Sequence, residues 1–253
     1  MLGDTLPVQV RPMDVVLPQR RPLRALDGFA GSLAQRVYGS LRHGILSLAL
    51  HPGDILRKSE ICASLGVSRS PVSEAIARLA GEHLVRVVPQ AGTYVARFSL
   101  SEIREGAFLR QALELAAVES VAGSVTEGQL DVLRQNLRLQ AGLIEDHDFA
   151  GFYQTDAAMH ELILTFTGYR RLAVLADTAW VHVNRARQLI LPAPGRVEAT
   201  LVEHQAILAA LESHDPEAAR AATRLHLGKL MGFLEPLAHS RPDLFDPEMD
   251  DDA

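Results

Sequence analysis

Between residues 61 and 79 the apolar positions fall at helical spacing in two short runs separated by one glycine. Ile61 and Leu65 are four apart, and Val72, Ala75, Ile76 and Leu79 repeat as i, i+3, i+4, i+7, so each run offers one face to a core. Gly66 stands where the first run must end, because glycine takes the left-handed conformation without steric cost. Ser68 is placed to N-cap the second run, and Pro71 falls in its first turn, where a missing N–H costs little. Two helices joined by a tight turn are expected, with Arg69, Ser70 and Ser73 polar at the start of the second. Upstream, Leu33, Val37, Leu41 and Ile45 mark a helix over 32–50, broken by Pro52-Gly53. Downstream, Leu84–Val88 and Thr93–Arg97 are strand-like runs around Pro89-Gln90-Ala91-Gly92, a hairpin signal. Helix, helix-turn-helix and hairpin in this order make a winged helix. Such a motif presents the N-terminal residues of its second helix to the major groove of DNA.

From Ser99 onward the period is helical throughout. The expected helices are Ser101–Gly123, Thr126–Glu145, Asp148–Thr167, Arg170–Leu191, Arg196–Ser213 and Pro216–Leu237. Gly168, Pro192-Ala193-Pro194-Gly195 and His214-Asp215-Pro216 punctuate them, and short loops between helices imply an antiparallel bundle. Ser99 and Glu102 have the spacing of a capping box. The fold class is therefore mainly α: an N-terminal winged helix-turn-helix followed by an all-α antiparallel bundle. The organisation expected is a loosely ordered tail over 1–31, the winged helix over 32–98, the bundle over 99–238 and an acidic, proline-rich, disordered tail over 239–253.

Composition changes this picture little, but charge sharpens it. The net charge of −6 argues against nucleic-acid binding for the chain as a whole. Divided, residues 32–98 carry +4 and residues 99–253 carry −11, which fits a DNA reader joined to a module with another task. No apolar run approaches the ~20 residues that span a bilayer, and the N-terminal region lacks the apolar core of a signal peptide, so the cytoplasm is the expected compartment. Cys62 is the single cysteine and reads as core filling.

Candidate chemistry lies in the bundle. Asp156 and His160 are four apart on one helix and share a face. His204 and His226 are each 11 residues from Asp215, in the turn between two antiparallel helices, and so stand at one level roughly 16 Å from that turn. If the helix of Asp156 packs against this pair, three imidazoles and a carboxylate converge. Such a set suits zinc first, with nickel, manganese and iron(II) also compatible, and leaves positions open for a ligand. His147, His182 and His239 read as surface or satisfied core residues. Arg110 and Glu114 are i, i+4, the spacing of an ordinary solvated pair.

"HPGDIL" (51–56), "LGVSRSPVSEAIARLAGEHLV" (65–85) and "PQAGTYVA" (89–96) resemble the DNA-binding domain of GntR-type transcriptional regulators. The resemblance implies DNA-contacting roles for Arg57, Lys58, Arg69, Ser70, Ser73 and Gly92. It also shows departures: Lys58-Ser59 replaces a common Glu-Arg pair, Ser73 a common arginine and Ala91 a frequent basic residue. Asp156, His160, the histidine of "EHQAIL" (203–208) and that of "AARAATRLHL" (218–227) resemble the metal-binding version of the FCD domain. That is the helical effector domain of the FadR branch, in its shorter VanR-like form. "LRQALELAA" (109–117) matches its first helix and implies that Arg110, with Glu114, lines an effector cavity. Of Arg185 and Arg187, two apart and so facing differently, Arg187 is the better further candidate.

The expected protein is thus a metabolite-responsive regulator, more a repressor than an activator on the family's pattern. It would bind a near-palindromic operator as a homodimer and sense a small organic acid through a divalent metal. Two rivals use the same residues: a metal-dependent enzyme, disfavoured because no general base is paired with the site, and a sensor of metal alone.

Overall fold

The computed structural model describes residues 17–247. Its first unit contains α1 (Leu33–Leu46), α2 (Lys58–Leu65), α3 (Arg69–Gly81) and a hairpin of β1 (Val85–Val88) and β2 (Gly92–Val95), paired antiparallel with Val85 opposite Val95 and Val88 opposite Gly92. Val37, Leu41 and Ile45 of α1 meet Ile61, Val72, Ile76 and Leu79 in one buried cluster, so the periodic positions are the core. Gly66 takes the left-handed conformation (φ 65°) at the end of α2. α1 stops at Leu46 rather than continuing to residue 50, because the chain turns back through Leu48, at φ 56°, to bury that side chain. Ser68 does occupy the N-cap of α3, yet its hydroxyl accepts no cap hydrogen bond. Pro71 is the third residue of that helix, and the N–H that such a hydroxyl would accept is missing there.

The second unit is built from α4 (Leu100–Ala122), α5 (Glu127–Glu145), α6 (Phe149–Phe166), α7 (Leu172–Ala179), α8 (Val181–Ile190), α9 (Arg196–Glu212), α10 (Pro216–Leu227) and α11 (Lys229–Ser240). Two of the six expected helices are therefore broken. Arg170–Leu191 breaks at Trp180 (φ −102°, ψ 8°), with Trp180 planted in the bundle core and Val181 in the core of the winged helix. Pro216–Leu237 breaks at Gly228, where an added Cβ would stand 3.1 Å from the Arg224 carbonyl oxygen.

Both chain ends depart from the expectation of loose tails, as far as the described residues go. Leu23 and Leu26 pack on the winged helix, Arg20 pairs with Asp54, and His51 Nε2 lies 2.8 Å from the Pro18 carbonyl oxygen. At the other end, Leu244 and Phe245 are buried. Phe98 N–H donates to the Leu244 carbonyl (2.9 Å), Asp246 N–H donates to the Phe98 carbonyl (2.8 Å), and the Phe98 and Phe245 rings lie 5.6 Å apart. This strap fastens the exit of the wing to the bundle. Residues 1–16 and 248–253 lie outside the described residues.

The two units also meet along α8. His182 Nε2 is 3.2 Å from the Glu82 carbonyl oxygen, and Arg185, fully buried, donates to the Ala96 carbonyl (2.6 Å) with its guanidinium over the Phe98 ring. Burial pushes the Arg185 pKa down to about 9, with Glu102 opposing the shift. Only half of the capping box at α4 forms. Ser99 accepts from Glu102 N–H, while the Glu102 carboxylate turns to His83 (2.5 Å) and His182 (3.5 Å) at the same junction.

Candidate functional site

Three helices converge at the centre of the bundle. α6 supplies Asp156 and His160 one turn apart, α9 supplies His204 and α10 supplies His226; all four are buried. The ring centroids of His204 and His226 are 4.7 Å apart, as expected for positions equidistant from the Asp215 turn, and His160 lies 5.3 and 5.2 Å from them. One ligating atom from each histidine can be chosen so that all lie within 4.8 Å of one another.

The protonation pattern follows from the outer partners. The Thr155 carbonyl only accepts, so the Asn136 amide presents its NH2 there (2.9 Å) and its oxygen to the Gln140 NH2 (2.7 Å). That leaves the Gln140 oxygen facing His204 Nδ1 at 2.9 Å, so Nδ1 carries the proton and Nε2 is bare. In the same way His160 Nδ1 donates to Glu114 Oε2 (2.6 Å) and His226 Nδ1 to Glu203 Oε2 (2.7 Å). Three bare Nε2 atoms then face inward. His160 and His226 bring theirs to 3.3 Å, and His204 Nε2 faces Asp156 Oδ1 at 3.5 Å. Neither His204 Nε2 nor Asp156 Oδ1 has a hydrogen-bond partner. Four buried acceptors with no donor among them repel one another, and a cation is what such a set fits.

Electrostatics holds this state. Burial is the largest influence on Asp156 and opposes its ionisation, yet the Arg187 guanidinium beside it keeps its carboxyl far below the ordinary range. Glu114 behaves likewise, with Arg110 and His160 outweighing burial. Burial lowers His204 well below its usual value and His226 to about 4, so both rings are neutral at pH 7. For a histidine depressed in the folded state, the unfolded chain binds the proton first, so stability is lost as pH falls from about 6.5 towards 4. Metal-free protein is therefore expected to melt at progressively lower temperature across that window. His226→Gln should flatten the dependence, as thermal melts between pH 7 and pH 4 will show.

Beside the histidines lies a cavity of about 30 Å³, lined by Arg110, Arg187, Arg196, Thr200, Ile190 and His226 among others. That is room for about two waters. Each arginine is already paired: Arg110 Nε to Glu114 (2.6 Å), Arg187 to Asp156, and Arg196 to Glu203 through two bonds (2.9 and 3.2 Å). Arg110 and Glu114 are thus a buried pair rather than the solvated one that their spacing suggested. Arg187 faces this cavity and Arg185 does not. Arg196, Thr200, Gln140 and the second carboxylate, Glu203, were missed. Arg196, Thr200, Glu203 and His204 recur on one face of α9, a signal open to inspection, whereas nothing local ties Gln140 to His204.

On the winged helix, Arg57, Lys58, Arg69 and Ser70 are exposed around the start of α3, and Lys58 Nζ lies 3.1 Å from Ser73 Oγ. Arg57 pairs with Glu60 at 3.2 Å. Gly92 begins β2 at the wing tip with φ 138°, a conformation that side chains other than glycine rarely adopt.

The comparisons with known proteins agree with this architecture. Residues 33–95 match the family "Bacterial regulatory proteins, gntR family", and residues 105–229 match the FCD domain. The chain is 30% identical over 214 residues to the HTH-type transcriptional repressor RspR of Escherichia coli, covering 85% of this chain and 94% of that one. It is 32% identical over 209 residues to a Streptomyces ambofaciens HTH-type transcriptional regulator, covering 83% and 88%. The solved structure of E. coli McbR/YncC superposes with a TM-score of 0.70 at 23% identity, covering 81% of this chain and 98% of that one, which shows a shared fold. No helix among the described residues is long and apolar enough to cross a membrane. With a gntR-type winged helix read from α1 to β2 and an FCD bundle from α4 to α10, the chain belongs to the GntR family of bacterial transcriptional regulators, in its FCD-containing branch.

Proposed function

We propose that this regulator is a cytoplasmic, homodimeric repressor whose DNA release is controlled by a small carboxylate bound next to a divalent metal. The carrying observation is the set of four inward-facing acceptors on Asp156, His160, His204 and His226 with no donor between them. A borderline divalent ion fits three imidazoles and one carboxylate, zinc first, with nickel, manganese and iron(II) compatible. When bound, the ion supplies the surplus positive charge that an anion needs. The arginines alone cannot, because Glu114, Asp156 and Glu203 neutralise them pairwise. Glu114, Gln140 and Glu203 hold the three rings in register and fix their tautomers.

A carboxylate entering the small cavity must draw Arg110 or Arg187 towards itself, through the paired hydrogen bonds that a guanidinium offers. The path to DNA then runs through α8 as well as α4. Arg187 and Ile190 line the cavity, while Val181, His182 and Arg185 of the same helix touch the winged helix. At the operator, Arg57, Lys58, Arg69, Ser70, Ser73 and Gly92 form the contact surface, and a two-fold dimer reads a near-palindromic site. The name of the E. coli repressor relative supports repression.

The test is calorimetry of mono- and dicarboxylates, hydroxy acids and sugar acids against zinc-loaded wild type, metal-free protein and Arg110→Ala. Binding is expected to be strongest in the first and at least tenfold weaker in the other two, since a tenfold change corresponds to about 1.4 kcal/mol. An uncharged or cationic effector, or equal affinity for all three proteins, would refute the reading. Operator release by metal alone would instead make the protein a metal sensor.

A further inference from the structure

The gntR-family match begins at residue 33, yet the segment that precedes it is built into the reader. Leu23 and Leu26 pack on the reader's core, and the Ser40 hydroxyl donates to the Arg24 carbonyl (2.6 Å). α1 leaves room for this arm at a glycine: a Cβ on Gly39 would stand 2.6 Å from the Phe29 ring. Glycine weakens the interior of a helix, so its place here marks a seat for that ring. Nearer the N-terminus the arm is tied to the turn before α2. His51 Nε2–H donates to the Pro18 carbonyl (2.8 Å), and Arg20 donates twice to the Asp54 carboxylate, through Nε (3.1 Å) and Nη2. Arg20, Arg21 and Arg24 are exposed, against one acid, Asp27. Arg21 forms no ion pair among the described residues.

We propose that this docked arm is a second DNA-contacting surface, which grips backbone phosphates outside the bases that α3 reads. Asp54 stands three residues before Arg57, so the arm is pinned at most about 11 Å of chain from the cationic start of α2. That is about three phosphates along one strand. Arg21 takes one phosphate, and Asp54 aims Arg20 with its Nη1 left over for another. Charge selects the occupant. On this edge Arg20, Arg21, Arg57 and Lys58 outnumber Asp54 and Glu60, whereas residues 99–253 carry −11, so a polyanion is drawn here and repelled by the bundle. Phosphate contacts of this kind fix the register and orientation of a reader and carry no sequence information. The proposal rests on the reader surface assigned above and extends it beyond the residues that the family match covers.

Fluorescence anisotropy of the full chain on a short duplex of scrambled sequence, repeated between about 50 and 200 mM salt, tests the arm. Each phosphate contact adds about 0.9 to the slope of log affinity against log salt. Arg21→Gln should lower the slope by about that much per bound chain and weaken binding about fivefold at physiological salt. Its melting temperature should not move, because Arg21 is exposed and unpaired. Leu23→Ser keeps every charge but unseats the arm, and should also bind more weakly than wild type. Arg138→Gln, which removes an exposed cation from α5, should bind as wild type does. Melting curves report whether Leu23→Ser is folded; where it is not, Arg21→Gln decides by itself. A wild type that fails to bind duplex DNA would sink the reader surface and the arm together. With wild type binding, the arm alone is overturned by an unchanged slope in Arg21→Gln, by an equal loss in Arg138→Gln, or by full affinity in folded Leu23→Ser.

Discussion

Protein stripped of metal by a chelator should gain stability when zinc is returned, and His204→Ala should abolish the gain. A ligand that binds only the native state stabilises it by about 2.7 kcal/mol when its free concentration is a hundredfold above the dissociation constant. For a chain of this size that is roughly 5–10 °C in melting temperature. His204 is the informative position, since its Nε2 is buried, bare and opposite Asp156 Oδ1. Glu203→Gln should retain a smaller response, because an amide oxygen can still accept from His226 Nδ1 while the charge is lost; outer partners of this kind change metal affinity by about 10–100-fold. Elemental analysis of protein purified without chelators reads the same site directly. If no metal is found and none can be added back, the four acceptors are held by protons instead.

Arg69→Ala should abolish preference for the operator while leaving the oligomer and its melting temperature intact. Arg69 is exposed at the first position of α3, where a recognition helix meets base edges. A bidentate arginine–guanine pair discriminates by about 1–3 kcal/mol. In a dimer the loss occurs at both half-sites, so specific affinity should fall by roughly one to four orders of magnitude. Non-specific binding should change far less and should retain its steep salt dependence, because that part comes from phosphate contacts. Footprints of wild type and variant on one genomic fragment decide the matter, and an unchanged footprint would remove Arg69 from base reading.

What was legible in the sequence was what local spacing encodes. Gly66, the α3 periodicity and the hairpin residues lie within a few positions of what they touch, and the winged helix formed as expected. The His204–His226 pairing was also legible, because a turn between antiparallel helices turns sequence distance into height. The break at Trp180 was not. Residues 170–191 keep a helical pattern on both sides, and Trp180 and Val181 meet two cores built from residues far away along the chain. Gln140 was invisible for a similar reason, since its partner His204 is 64 residues away and on another helix. The packed ends were misjudged from composition: prolines and acids outnumber Leu244 and Phe245, but those two side chains find a site on Phe98.

The strap at Phe98 sets the order in which the protein becomes a regulator. Chains fold from the N-terminus as they are made, at roughly 5–20 residues per second. The helices and hairpin of the winged helix, all within residues 33–95, then emerge well before Leu244 and Asp246 come to clasp Phe98. For about 8–30 s a ribosome-bound chain would display a reader that the strap has not yet fastened to the bundle. The fastening of reader to bundle is in this sense acquired after the reader itself.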